Sequence, residues 1–204
     1  MPTEPSIDLT IDLLRHGETE GGAIYRGRTD SALSKPGMKA MQRTLAEAGQ
    51  PWRGVVSSPL RRCSKVAVAY AAEHDISCQL EPRLQEIDFG EWDGELLADI
   101  WEKSPEDVTQ FWEDPEAFTP PEGEPLTVFR ERLTECLDDF VRTHSQGHFL
   151  WVTHGGVIRA LLARILSIPA GNWNCLQLDY ASLSRIHIVG EPDQLGYSVA
   201  FINR

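Results

Sequence analysis

Four separated stretches of the chain carry side chains suited to handling a phosphate. They are Leu13-Leu14-Arg15-His16-Gly17-Glu18-Thr19, Ser58-Pro59-Leu60-Arg61-Arg62-Cys63, Leu84-Gln85-Glu86 and Val152-Thr153-His154-Gly155-Gly156, in that order. A phosphomonoester needs charge neutralisation at its oxygens, a nucleophile in line with the ester bond, and a proton for the leaving alkoxide. Arg15 and Arg62 offer planar, permanently charged forks that match phosphate oxygens, which the point charge of lysine does not. An unprotonated imidazole such as His16 is nucleophilic near neutral pH. His154, at the start of a helix after Thr153, adds a donor, and the Gly155 and Gly156 amides are expected to face the anion.

The elements that must hold these groups are legible in the hydrophobic pattern. Ile7, Leu9, Ile11, Leu13 and Leu14 read as a strand that alternates and then runs apolar, as in a strand buried on both faces. Arg15 and His16 then lie at its carboxyl end, the edge where open α/β sheets bind ligands. Gly21-Gly22 and Tyr25 to Ser31 read as a loop rich in turn formers. Arg26, Gly27 and Arg28 within it are candidates for contact with substrate, since loops at this edge shape ligand access. Ser34 is placed as the N-cap of a helix over 36–48, with Pro36 in its first turn. Val55 to Ser57 predicts a short buried strand, followed by a helix from Pro59 to Glu73 that presents Arg62 from its first turn. A further strand is expected over Ser77–Leu80.

Residues 88–124 change character. Trp92, Trp101, Phe111, Trp112 and Phe118 are interleaved with carboxylates, and Pro115, Pro120 and Pro121 break regular structure. This segment is read as an inserted cap whose aromatics mostly form its own small core. A helix over 125–143 carries Leu126, Phe129, Leu133, Leu137 and Phe140 as one apolar stripe and serves as scaffold. Phe149 to Val152 predicts a strand ending at His154. Val157 to Leu166 is a helix apolar nearly all round, and strands over 182–189 and 197–202 close the sheet. The alternation predicts one domain over 1–204, a three-layer α/β/α sandwich with a mostly parallel central sheet and an inserted helical cap.

Composition narrows the partners. At 204 residues and 41% hydrophobic content, the chain suits one sizeable α/β domain. The net charge of −12 disfavours nucleic acid, whose backbone is bound through lysine and arginine footprints. The charge is uneven: residues 81–145 hold 19 acidic and 5 basic side chains, whereas residues 15–62 hold 9 basic and 4 acidic. A small anion can therefore be drawn to a local positive site on an acidic protein. Met1 to Ser6 lack an apolar core with a basic start, and no run approaches the ~18 apolar residues of a membrane span. No membrane partner and a cytoplasmic location are expected; a homodimer stays open. Cys63, Cys78, Cys136 and Cys175 are widely spaced and expected to be reduced, with Cys63 facing the core. His74, His144, His148 and His187 lack metal-ligand spacing, so neither a metal nor another cofactor is expected.

Taken together, the four stretches resemble the histidine phosphatase superfamily, also called phosphoglycerate-mutase-like, over most of the chain. The resemblance implies that His16 is a nucleophile forming a phosphohistidine, with Arg15, Arg62 and His154 around the phosphate. It implies that Glu86 is the general acid that then activates water, a role that requires a protonated carboxyl. Glu18 and Asp88 are alternative acids better explained as hydrogen-bonding loop residues. One position departs: the family often has asparagine in Arg-His-Gly-Glu-Thr-x-x-Asn, where this chain has Gly22. Phosphate ligation is thereby one group poorer, with Thr19 or a backbone amide to compensate.

Within the superfamily, Leu84 to Gly94, Phe111-Trp112 and Pro120 to Glu124 look most like the alpha-ribazole phosphatases of cobalamin nucleotide-loop assembly. That resemblance implies alpha-ribazole 5′-phosphate as the small phosphorylated metabolite. A broad-range sugar-phosphate phosphatase, a cofactor-dependent phosphoglycerate mutase and a non-catalytic phosphate-binding module are the alternatives. The mutase reading is disfavoured by an insertion that is acidic and aromatic where mutases carry additional basic residues.

Overall fold

The computed structural model describes residues 6–204, so the leading segment, residues 1–5, lies outside the described residues. Six strands form one sheet: β1 (Ile7–Arg15), β2 (Gly54–Ser57), β3 (Ser77–Leu80), β4 (Gln146–Thr153), β5 (Leu183–Glu191) and β6 (Gln194–Phe201). Their order is β3-β2-β4-β1-β5-β6. The β3-β2-β4-β1 half is parallel, and β5 and β6 add as an antiparallel edge. The expected mostly parallel α/β sheet is thus observed, with the antiparallel pair closing one side.

Helices α1 (Lys35–Ala48), α2 (Arg61–Glu73), α5 (Leu126–Thr143) and α6 (Gly155–Leu166) flank the sheet, while α3 (Leu97–Lys103) and α4 (Pro105–Glu113) lie between β3 and α5 in the chain. Two apolar clusters define the layers. Ile7, Leu9, Ile11 and Leu13 pack with Phe129, Leu133 and Leu137 of α5 and Ile158 and Leu161 of α6. Leu14, Leu150 and Val152 pack on the opposite face with Met41 and Leu45 of α1 and Cys63 and Val66 of α2. The period-2 alternation of β1 delivers successive side chains to the two clusters, as the pleat requires.

Asp12 is the fully buried polar residue of that strand. It accepts hydrogen bonds from Trp52 Nε1 at 2.9 Å, His148 Nε2 at 2.8 Å and Arg185 Nε at 2.7 Å. Because Asp12 stands opposite Arg185 in the β1–β5 ladder, this network pins the register that sets the height of Arg15 and His16.

Local boundaries follow residue chemistry. Ser34 caps α1, its hydroxyl accepting from the Gly37 amide at 3.0 Å. Helix α2 starts at Arg61 rather than Pro59, because the Ser58 amide is committed to the Val152 carbonyl of β4 and Leu60 is the cap. Arg62 still falls in the first turn. A short 3-10 segment, Ala170–Cys175, had no periodic signal. Trp92, Ile100, Val108 and Phe111 of the 88–124 segment pack together with Tyr25. Trp101 and Trp112 are exceptions, exposed at 54% and 43%. No helix among the described residues is long and apolar enough to cross a membrane.

Candidate active site

The carboxyl ends of the parallel strands meet at one edge. The His16 amide donates to the Thr153 carbonyl at 2.9 Å, the Ser58 amide to Val152 at 3.0 Å and the Glu81 amide to Ser57 at 2.8 Å. These bonds lash the segments that follow β1, β2 and β3 to neighbouring strands, so residues distant in sequence converge. The ring centroids of His16 and His154 lie 5.2 Å apart in an edge-on arrangement.

His16 is 5% exposed, and its Nδ1 lies 2.8 Å from the Gly17 carbonyl. A carbonyl only accepts, so Nδ1 carries the hydrogen and the lone pair is on Nε2. Burial, then the charge of Arg62 and those of Arg15 and Arg26, lower its pKa to about 3 against the opposing pull of the Gly17 bond. The ring is therefore neutral at physiological pH.

Arg62 is fully buried, a costly position for a guanidinium unless its donors are met. Its Nε–H donates to His154 Nδ1 at 3.1 Å, Nη1 to the Thr29 carbonyl at 2.8 Å and Nη2 to the Gly27 carbonyl at 2.7 Å. Because the Arg62 nitrogen only donates, the His154 proton is on Nε2, which donates to Ser58 Oγ at 2.8 Å. Burial and Arg62 hold His154 well below the usual histidine range.

Arg15 stacks on the Tyr180 ring, its guanidinium carbon 4.1 Å from the centroid, and donates to the Leu178 carbonyl. Its Nε is buried without a partner among the described residues. Glu86 is 9% exposed, and its carboxylate accepts from the Gly156 amide at 2.9 Å and from the Ile87 amide at 3.1 Å.

This geometry corrects two expectations: the Gly156 amide is turned to Glu86 and not to an anion, and the N–H of His154, expected as a donor to the anion, is given to Ser58. The two glycines serve close approach of side chains. A Cβ on Gly156 would meet Glu86 Oε1 at 2.2 Å, and one on Gly155 would meet Arg15 Nε at 3.2 Å.

The loop candidates are also placed. The carbonyls of Arg26, Gly27 and Thr29 face Arg62, so this loop holds the buried arginine through its backbone. The Arg26 side chain donates to Ser31 Oγ and to the Glu20 and Gly22 carbonyls. Arg28 donates to Gln85 and lies 3.9 Å from Asp88 and 3.8 Å from Glu124. Both arginines are engaged with protein groups. Thr19 is buried and bridges to Leu33, and Gly22 is exposed at a positive φ of 72°. Glu18 accepts from Ser34 Oγ at 2.8 Å and Asp88 from the Gly90 amide at 2.9 Å, as loop hydrogen-bonders do. Cys63 packs beside His154, and burial raises its thiol pKa first among the causes.

Three residues of the site were missed in the sequence. Ser58, the His154 partner, stands in a quoted stretch. Tyr180 lies against both His16 and Arg15, its centroid 5.7 Å from that of His16, with no local pattern to mark it. Arg159, on α6, was marked by being a lone cation in the otherwise apolar run from Val157 to Ala163.

A neutral, buried imidazole flanked by two arginines, with an anchored carboxylate close by, at the carboxyl edge of an α/β sheet, defines a phosphate-handling enzyme site. Residues 11–196 match the histidine phosphatase superfamily (branch 1), and the chain belongs to that family. It is an enzyme, a phosphomonoesterase of small metabolites. Phosphoserine phosphatase 1 of Hydrogenobacter thermophilus is 30% identical over 86% of this chain and 85% of its own. Adenosylcobalamin/alpha-ribazole phosphatase of Escherichia coli K12 is 27% identical over 86% and 88%. A mycobacterial glucosyl-3-phosphoglycerate phosphatase structure matches with a TM-score of 0.84 at 25% identity, covering 96% of this chain and 99% of that one.

Proposed function

We propose that the chain hydrolyses small-metabolite phosphomonoesters through a phosphohistidine on His16. The observation that carries this reading is the hydrogen bond from His16 Nδ1 to the Gly17 carbonyl in a ring held neutral, which leaves the Nε2 lone pair for phosphorus. Nε2 attacks, the ester P–O bond breaks, and the Glu86 carboxyl delivers its proton to the departing alkoxide. Water then attacks the phosphohistidine, giving a proton back to Glu86; the P–N bond breaks and phosphate leaves. Arg15, with its unpartnered Nε, and Arg62 neutralise the oxygens, while the Gly17 carbonyl supports the charge on the phosphorylated ring. No step needs a metal.

The resemblance favours alpha-ribazole 5′-phosphate as substrate. It is supported by an aromatic-lined cavity that opens beside Glu86, with Phe89, Phe111, Trp112 and Trp173 on its walls. Stacking there is worth roughly 0.5–1.5 kcal/mol beyond area burial. A second reading, a compact phosphorylated carboxylate, is favoured by Arg159 on the same cavity. A mutase is disfavoured because residues 88–124 carry a single basic side chain, Lys103.

The test is a panel of phosphomonoesters, including alpha-ribazole 5′-phosphate and 3-phosphoglycerate, assayed with and without chelator. Rapid-quench labelling should trap an acid-labile, base-stable adduct that a folded His16→Ala variant lacks. Near-wild-type hydrolysis by that variant rejects the covalent route. Activity abolished by EDTA and restored by a divalent ion rejects the metal-free one.

A further inference from the structure

Arg159 lies on the wall of the cavity beside Glu86. The general acid protonates the leaving oxygen, so the alcohol part of the substrate must extend past Glu86. The cavity that has Glu86 on its wall is the space it enters, and it encloses about 140 Å³. That is compact beside the ~300–1,000 Å³ of ordinary small-molecule sites. Its other walls are largely aromatic and aliphatic, with Arg159 and Asn174 as further polar side chains.

Arg159 is presented by α6 one turn after Gly155. Its Nε donates to the Leu176 carbonyl at 3.1 Å, which fixes the stem and leaves the rest of the fork for a ligand. Nη1 lies 3.3 Å from where a Cβ on Gly155 would stand, and Arg15 Nε lies 3.2 Å from the same point. Two guanidiniums thus converge over one glycine while Glu86 occupies the equivalent space over the next. Burial first, and then the neighbouring charge of Arg15, lower the pKa of Arg159, whereas Glu86 raises it. An anion held by Arg159 in the cavity offsets that repulsion.

From this geometry we infer that Arg159 is a specificity-determining residue: it binds a carboxylate carried on the alcohol part of the substrate, so the preferred class is compact phosphorylated hydroxy- or amino-acids. The inference rests on the phosphohistidine hydrolase reading and, of the two substrate readings above, takes the compact phosphorylated carboxylate over alpha-ribazole 5′-phosphate. A planar fork facing a carboxylate in a partly desolvated cavity gives a charge-assisted, bidentate pair, the arrangement for which arginine is suited and lysine is not.

The experiment compares O-phosphoserine with O-phosphoethanolamine, which differ only by the carboxylate, using p-nitrophenyl phosphate as a reporter of hydrolase chemistry. Wild-type protein should prefer O-phosphoserine in kcat/KM by about 10–100-fold, the range of a hydrogen-bonded charged group. In Arg159→Gln that ratio should collapse towards one, and Arg159→Lys should restore only part of it. A wild-type ratio near one, or a ratio unchanged in Arg159→Gln, overturns the assignment. A parallel fall for all three esters would place Arg159 on the phosphate instead and also overturns it. Should wild-type protein cleave none of the three, the hydrolase reading fails, and calorimetry then decides on Arg159. Loss of O-phosphoserine affinity relative to inorganic phosphate in Arg159→Gln upholds carboxylate binding, and equal affinities reject it.

Discussion

Arg62 Nε donates to His154 Nδ1 at 3.1 Å in the buried floor of the site, and that bond sets the tautomer of His154. The imidazole proton is thereby placed on Nε2, towards Ser58. The same guanidinium ties down the 26–29 loop through three carbonyls. One residue therefore couples the second histidine to the 26–29 loop.

Arg62→Lys should damage activity and stability together. A lysine reaches neither His154 nor all three carbonyls, and each buried acceptor left unmet costs about 1–3 kcal/mol. For a domain of this size, each kcal/mol lowers Tm by about 2–4 °C. Thermal unfolding should show that drop, with kcat/KM reduced by at least ~10²-fold. A variant with wild-type Tm and activity would contradict the assigned hydrogen bonds.

The pH dependence of His16 has a definite sign. The unfolded chain protonates this group near the ordinary value of 6.5, the folded chain at about 3. The unfolded state binds more protons between those values, so the contribution of His16 to stability is present above about 6.5 and is lost as pH falls towards about 3. His154, also lowered, acts in the same direction. Urea midpoints at pH 7 and pH 4.5 should fall less in His16→Ala than in wild type. The kcat/KM profile should show no limb from His16 between pH 5 and 8.

Glu86→Gln removes the transferable proton while keeping the shape. Single-turnover phosphorylation should slow by ~10²–10⁴-fold for alkyl esters, with a much smaller effect for p-nitrophenyl phosphate, whose leaving group needs no proton. Equal losses for both esters would move the acid elsewhere.

Gly156→Ala tests the anchoring of Glu86. Its Cβ would stand 2.2 Å from Glu86 Oε1, so the carboxylate must shift. A displacement near 1 Å costs on the order of 10²-fold in rate. Far-ultraviolet circular dichroism should stay at wild type, since α6 accepts alanine readily. Unimpaired turnover of alkyl phosphates would show that the position of Glu86 is not critical.

Much of the fold was legible because burial leaves a periodic trace. The alternation in Ile7 to Leu14 and the stripe Leu126 to Phe140 each encode which face meets the core, Ser34 encodes where α1 begins, and the resemblance of four short stretches marked the residues that now converge. Sequence alone placed Arg15, His16, Arg62 and His154 at ends of elements, whereas Glu86 was marked by the resemblance only. Their partners were decided by tertiary approach. That Gly156 serves Glu86, that Gly27 offers its carbonyl to Arg62, that Arg28 is engaged by Gln85, Asp88 and Glu124, and that Tyr180 covers Arg15 all depend on segments separated by dozens of residues. Periodicity reports burial, which is a property of one element. Hydrogen bonds and ion pairs belong to two, and their geometry exists only once the sheet order has brought those two together.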